Sequence, residues 1–318
     1  MRSQQITWPI DLWLAVVNWM DDRFKVRTLM DALLHVHVPR EAKTFYLGGI
    51  TMFLFITQVI TGSLLTLYYQ ATPDTAYDSV LYITSNVHFG WLIRSIHAWG
   101  ANLMVVFCVL HLLRVYFQGA YKPPRELTWV VGALLLVLTL AFGFTGYLLP
   151  WDEVAYWATT VGTESADAIP VVGEYLVMMM RAGPDVTGAT LSRFYGVHTL
   201  LLPIALAGLL AAHVVLMHQT GIANPRRPAR RRAALPPNVA AETQDNDQHP
   251  ASASPTEEHP ATEPEKTIPF FPNYVLGEIV AWYGIIAVLI ILASLFPSTL
   301  HEKANPLQTP AHIKPEWY

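Results

Sequence analysis

Four histidines carry the clearest chemistry in this chain. Each lies inside a long apolar run, and they form two sets: His97 with His111, fourteen residues apart, and His198 with His213, fifteen apart. At about 100° per residue, fourteen helical steps return to within about 40° of the same face and fifteen to within about 60°. Each run therefore shows two imidazoles on roughly one face, separated by about 21 Å along the helix axis. If both runs cross a membrane in the same direction, His97 faces His198 at one depth and His111 faces His213 at the other. Facing imidazoles suit a bis-imidazole haem iron, since imidazole is an axial haem ligand whose surroundings tune the metal. Helical bundle cores are a usual place for such cofactors. Hydrogen-bonded core histidines and metal transport are the alternatives. Two matched sets at such depth favour the di-haem reading, because intramembrane ionisable groups are usually functional.

Glycines and arginines fall at the same depths. Gly48 and Gly62 are fourteen apart in one apolar run, and Gly132 and Gly146 are fourteen apart in another. Gly62 and Gly146 match His97 and His198; Gly48 and Gly132 match His111 and His213. Glycine lets another group approach the backbone closely, so flat macrocycles could lie against these positions; close helix packing through small residues is the alternative. Arg94 precedes His97 by three residues, Arg114 follows His111 by three, and Arg193 precedes His198 by five. Each can reach towards a haem propionate or snorkel from a helix end.

Composition supplies the elements that hold these residues. The 318 residues are 53% hydrophobic and only 14% charged, against about 25% charged in soluble domains. Five runs reach the roughly 20 apolar residues that a bilayer requires: 45–69; a second between Arg94 and Arg114, starting near Val87; a third between Glu126 and Asp152; 194–219, with Pro203 as an expected kink; and 279–296. Basic residues cluster at the N-terminus (Arg23, Lys25, Arg27, Arg40, Lys43), after the second run (Arg114, Lys122, Arg125) and after the fourth (Arg226, Arg227, Arg230, Arg231, Arg232). The positive-inside rule puts these on the n side and the loop after the third run on the p side. The expected fold is an all-α membrane protein: a four-helix bundle plus a fifth transmembrane helix. An N-terminal amphipathic surface helix precedes them, mixing Trp13, Trp19, Phe24, Leu29 and Leu33 with Asp21, Asp22, Arg23 and Lys25. The expected organisation is a surface segment 1–44, a bundle 45–223, a linker 224–269 rich in Pro, Ala, Glu and Thr that cannot offset its ordering entropy, and a final part 270–318. The single cysteine, Cys108, allows no intrachain disulfide, and no secretory leader is expected. A net charge of -4 gives no nucleic-acid footprint.

Long ordered stretches resemble the cytochrome b/b6 subunit of cytochrome bc and b6f complexes. They are FYLGGIT at 45–51, GWLIRSIHAW at 90–99, HLLRVY at 111–116, KPPRELTW at 122–129, GYLLPWDEVAYWA at 146–158, DAIPVVG at 167–173, TLSRFYGVHTLLLP at 190–203 and PAHIKPEWY at 310–318. The fifteen-residue spacing and the linker resemble the b6 branch, in which the two parts are usually separate chains. The resemblance implies two non-covalent b haems, held by His97 with His198 and by His111 with His213. It implies quinol oxidation at the p side, with a Rieske iron–sulfur protein and a c-type cytochrome or equivalent carrier as acceptors, coupled to proton translocation. Partners would include the remaining helices of the complex, a second copy in a homodimer, and lipid of a bacterial cytoplasmic membrane. Pro315, Glu316, Trp317 and Tyr318 match the PEWY motif of the quinol-oxidation site, and Glu316 would accept a quinol proton.

Three features depart from the b6 pattern. Tyr46 stands where many b6 proteins carry a cysteine that tethers an additional haem, so no third, covalent haem is expected. His218 stands where b6 usually has arginine and the bc branch a quinone-contacting histidine. The chain ends at Tyr318, where the family continues into further helices. A di-haem membrane anchor of a dehydrogenase, or a metal or proton transporter, are the competing readings; neither needs the PEWY segment or the long loop after the third run.

Overall fold

The computed structural model describes residues 8–25, 37–39, 46–221 and 267–310. The chain begins with α1 (Trp8–Phe24), which leaves Leu12, Trp13, Val16 and Trp19 exposed and stacks the Arg23 guanidinium 4.3 Å over the Trp19 ring. Of the stretch 8–37 in which a helix is expected, α1 takes up the part to Phe24, and His37–Pro39 forms strand β1. Residues 26–36 lie outside the described residues.

Among the described residues, five helices are long and apolar enough to cross a membrane. They are α2 (Leu47–Thr66), α4 (Gly90–Phe117), α5 (Glu126–Tyr147), the continuous helical stretch α8 (Gly188–Thr220) and α9 (Val275–Leu295), whose span begins with the turn at Phe270–Tyr274. Between them lie α3 (Ala76–Ser85), α6 (Glu153–Glu164) and α7 (Gly173–Arg181). Helix α2 runs beside α4, α5 beside α8, and α9 closes against α4 and α2. Strand β2 (Thr267–Pro269) pairs antiparallel with β1, in register His37↔Pro269, at the entry to α9.

The bundle is tied through one midplane cluster, Ile50, Leu54, Met104, Leu206 and Leu289, contributed by four of the five spanning helices. Many other apolar side chains on these helices face outward, among them Ile60, Val137, Leu201, Ile204 and Val280. That exposure fits a lipid surround, where outward apolar groups cost nothing.

Helix α8 contains a wide π-type turn at Val197–Leu201, just before Pro203. Proline has no backbone N–H and crowds the preceding turn, and a π turn absorbs one extra residue without breaking the helix. This explains the unequal histidine spacing. The fifteenth residue between His198 and His213 is taken up in the wide turn, so α8 shows its imidazoles with nearly the period of α4.

A second cluster, Ala76, Leu148, Trp151, Tyr156, Val186, Leu191 and Phe194, forms where α6 and α7 fold over the His97 end of the bundle. Asp152 caps α6 by accepting from Ala155 N at 2.9 Å, and Thr187 and Thr190 form a capping box at the start of α8. Tyr69 donates to the Leu149 carbonyl at 2.8 Å; burial, with a smaller push from Tyr195, holds its phenol above the ordinary value, so it remains a donor. The connection from α6 to α8 is pinned by Arg181. Its guanidinium donates to Thr163 Oγ1, the Pro184 carbonyl and the Thr160 carbonyl at 2.7 Å each, and to Glu164 Oε2 at 2.6 Å. The Arg181 side chain is 5% exposed and that of Glu164 is 64% exposed, so the carbonyl bonds matter more than the ion pair. Arg181→Met strands buried acceptors and should cost about 3 kcal/mol, whereas Glu164→Gln should cost less than about 1 kcal/mol. Thermal unfolding of the detergent-solubilised protein measures both; equal losses would contradict this account.

The chain leaving α9 is strapped across the same end. Arg94 donates to the Ser298 and Thr299 carbonyls at 2.7 and 2.8 Å, and Trp99 Nε1 donates to the Phe296 carbonyl at 2.8 Å. Asp152 Oδ2 accepts from His301 N, Tyr77 donates to the His301 carbonyl, and Lys303 pairs with Asp78 at 3.0 Å. The fifth helix is thus fixed to the four-helix part through directed bonds as well as apolar packing.

Candidate functional site

The antiparallel order of the helices brings the four histidines together by depth. His97 on α4 and His198 on α8 face each other with ring centroids 6.4 Å apart and planes at 72°. His111 and His213 are electrostatic neighbours one level away. All four rings are partly buried. Each is backed by a glycine. A Cβ at Gly62 would lie 3.1 Å from His97 Cε1, one at Gly146 2.6 Å from His198 Cε1, one at Gly48 3.3 Å from His111 Cε1 and one at Gly132 3.3 Å from His213 Cε1. The glycines therefore make room for the imidazole rings.

The His97–His198 level has defined tautomers. Thr61 Oγ1 lies 2.9 Å from His97 Nδ1 and donates to the Thr57 carbonyl at 2.7 Å. Thr145 Oγ1 lies 3.1 Å from His198 Nδ1 and donates to the Ala141 carbonyl at 2.8 Å. A hydroxyl has one proton. Here the carbonyl takes it, so Nδ1 carries the hydrogen and Nε2 keeps its lone pair. At the other level, Nδ1 of His111 and of His213 are buried without a hydrogen bond of acceptable geometry.

The other residues singled out from sequence divide. Arg94 turns to the strap after α9, and Arg193 donates to the Met179 carbonyl; both are occupied in holding the end of the bundle. Arg114 stays at the His111 end, where its charge faces Tyr274. His218 sits exposed in the last turn of α8. Pro315, Glu316, Trp317 and Tyr318 lie outside the described residues. Tyr46 begins α2 with φ 46°, sets its hydroxyl against Gly277 and places its ring 5.2 Å from that of Tyr274.

Two groups of residues were missed in the sequence. Glu278 lies inside α9, its carboxylate beside Gly49 and close to Tyr274. An acidic residue in an apolar run is the available signal, although in the sequence it reads equally as the boundary of that run. Thr61 and Thr145 were also overlooked, although each immediately precedes one of the two glycines at its depth.

The fold is that of an all-α integral membrane protein carrying two internal levels of imidazoles. The cytochrome b/b6/petB family profile matches residues 33–221. The chain is 40% identical over 308 residues to a cytochrome bc complex cytochrome b subunit of Chlorobaculum thiosulfatiphilum, covering 96% of this chain and 65% of that protein. It is 48% identical over 211 residues to cytochrome b6 of Oltmannsiellopsis viridis, covering 66% of this chain and 98% of that one. A solved structure described as a hyperthermophilic respiratory Complex III aligns with TM-score 0.76 and 33% identity, covering 95% of this chain and 74% of that one. This chain belongs to the cytochrome b/b6 family. The match to this b6 chain takes in 211 residues and that to the Chlorobaculum relative 308, and the present chain spans 65% of the latter protein's length.

Family membership implies haem, and the geometry can be tested against it. A metal taking an imidazole nitrogen on each side at about 2 Å places the two ring centres about 6 Å apart, close to the 6.4 Å observed. Among the described residues no three His, Cys, Asp or Glu side chains converge on one point. Two facing imidazoles with no third protein donor would suit a metal whose other donors come from a macrocycle. The residues fit haem.

Proposed function

We propose that this chain is the cytochrome b subunit of a quinol-oxidising electron-transfer complex. His97 with His198 would hold one haem b near the p side, and His111 with His213 a second near the n side. Bound there, the two haems supply a one-electron path between the membrane faces. The protein's own contribution is placement. Helices α4 and α8 present Nε2 from opposite sides, the glycines of α2 and α5 leave space behind the rings, and the apolar midplane cluster keeps water from the interval between the levels. Arg114 is the arginine suited to a propionate at the n side. Glu316, in the segment that resembles PEWY, would take a proton from quinol as general base. A Rieske iron–sulfur protein would accept the first electron and pass it to a c-type cytochrome or equivalent carrier. Oxidation releases two electrons and two protons from each quinol on the p side, and the return of one electron to a quinone on the n side couples the reaction to proton translocation. His218, exposed at the n-side end of α8, would contact that quinone. The complex would be a homodimer in a bacterial cytoplasmic membrane.

One observation carries the reading: two levels of paired imidazoles backed by glycines from neighbouring helices. The test is a pyridine haemochrome assay and a redox-titrated difference spectrum on the purified complex. Two b haems per chain with distinct midpoint potentials are expected. A haem-free, metal-transporting preparation would overturn the proposal, and so would one haem per chain.

A further inference from the structure

We propose that Thr61 and Thr145 are matched positioning residues that lower the reduction potential of the p-side haem relative to the n-side haem. The inference rests on the di-haem reading and adds to it a cause for the direction of electron flow.

The hydrogen bonds differ by level and the ligands do not. All four ligands are histidines. At the p-side level both Nδ1 atoms bond to a threonine hydroxyl, at 2.9 and 3.1 Å. At the n-side level neither Nδ1 has a partner of acceptable geometry. Backbone does not account for the contrast. A carbonyl from α5 approaches each α8 histidine, Phe142 at His198 and Thr128 at His213, each four residues before the glycine of its level. That element is common to both levels, and the hydroxyl is what differs. The cause is visible in the sequence as a two-fold pattern. The p-side glycines follow threonine, as Thr61-Gly62 and Thr145-Gly146, and the n-side glycines follow Leu47 and Val131.

A hydroxyl that accepts from Nδ1–H draws that proton outward and makes Nε2 a stronger donor. A stronger donor favours the more highly charged, oxidised iron, so the potential falls. The threonines cannot rotate away from this task, because their own protons are held by the Thr57 and Ala141 carbonyls. Both imidazoles of one level are affected in the same sense, and the other level receives neither contribution.

The test is optical redox titration of the intact complex, with the p-side component assigned as the one lost on replacing His198. Thr61→Val and Thr145→Val should each raise the p-side midpoint by a change of roughly tenfold in the reduction equilibrium, 59 mV for a one-electron couple. The n-side midpoint should stay in place. Thr61→Ser and Thr145→Ser keep the hydroxyl and should hold the original value. Val131→Thr puts a hydroxyl beside His213 and should move the n-side midpoint down by a similar factor. It reads the same claim even if a valine variant sheds its p-side haem. The inference is overturned if retained haems shift by less than twofold, if both levels move together, if serine shifts the potential as much as valine, or if Val131→Thr leaves the n-side midpoint in place. Absence of two haems from the unsubstituted complex would instead remove the reading beneath it.

Discussion

Replacing His97 with leucine is expected to remove one b haem and spare the other. Each level draws its two imidazoles from different helices, α4 and α8, so one substitution leaves a single nitrogen where two are needed. Loss of groups that merely orient a ligand costs 10- to 100-fold in metal affinity, so loss of the ligand itself should exceed about 100-fold. Haem content should fall from two per chain to one, and quinol turnover should fall by more than about 100-fold. His111→Leu should remove the other spectral component and leave the first. The double variant should contain no b haem while retaining the helical content of the parent, because the midplane cluster of Ile50, Leu54, Met104, Leu206 and Leu289 does not include the histidines. His218→Leu is the control: an exposed residue at the end of α8 should leave both haems bound. Retention of two low-spin b signals in His97→Leu would show that the imidazole pairs are not the ligands.

Much of this site could be read from spacing because a membrane helix propagates its period faithfully over many turns. Gly48 and Gly62 face His111 and His97, and Gly132 and Gly146 face His213 and His198, in the order that fourteen-residue periods and alternating helix direction predict. What could not be read depends on interactions without a periodic signature. The wide turn at Val197–Leu201 reconciles fifteen residues with fourteen, and only Pro203 hints at it. For Arg94 the sequence leaves a propionate and a helix end both open, and its acceptors are carbonyls more than two hundred residues later in the chain, a contact that no local pattern encodes. Glu278 marks a different failure. A charged residue was used to end an apolar run, while the helix continues a turn further because the carboxylate has Gly49 and Tyr274 beside it. The threonines were hidden by their ordinariness: in a helix a threonine usually satisfies itself against the preceding turn, as Thr57 and Thr139 do here. Only the presence of an imidazole turns the same bond into a device for fixing a tautomer.

The four glycines should not be equally intolerant of a side chain, and their order provides the second large effect. At Gly146 an added Cβ would stand 2.6 Å from His198 Cε1 and 3.1 Å from Nδ1. The ring cannot simply retreat. Its Nδ1 is bonded to Thr145, the neighbour of that glycine, and Phe142 meets it edge-on at 5.4 Å. Gly146→Ala must therefore push α5 from α8 or tilt the imidazole away from its position facing His97. Overpacking of this kind costs about 1–3 kcal/mol, which corresponds to roughly 5- to 150-fold in haem affinity. At Gly62 the distance to His97 Cε1 is 3.1 Å, so alanine there should be intermediate. At Gly48 and Gly132 the distance is 3.3 Å, and His111 and His213 have no hydroxyl holding Nδ1. Those rings can yield by a few tenths of an ångström, and alanine should be tolerated with both haems retained. Haem stoichiometry of the four purified alanine variants checks the ranking, with the p-side component lost first in Gly146→Ala. Equal losses at Gly132 and Gly146 would mean that ring clearance does not control occupancy. The same hydroxyl that fixes the p-side tautomer also removes the freedom that would let its imidazole accommodate a methyl group, so the level with fixed tautomers is the one with the least tolerance for change.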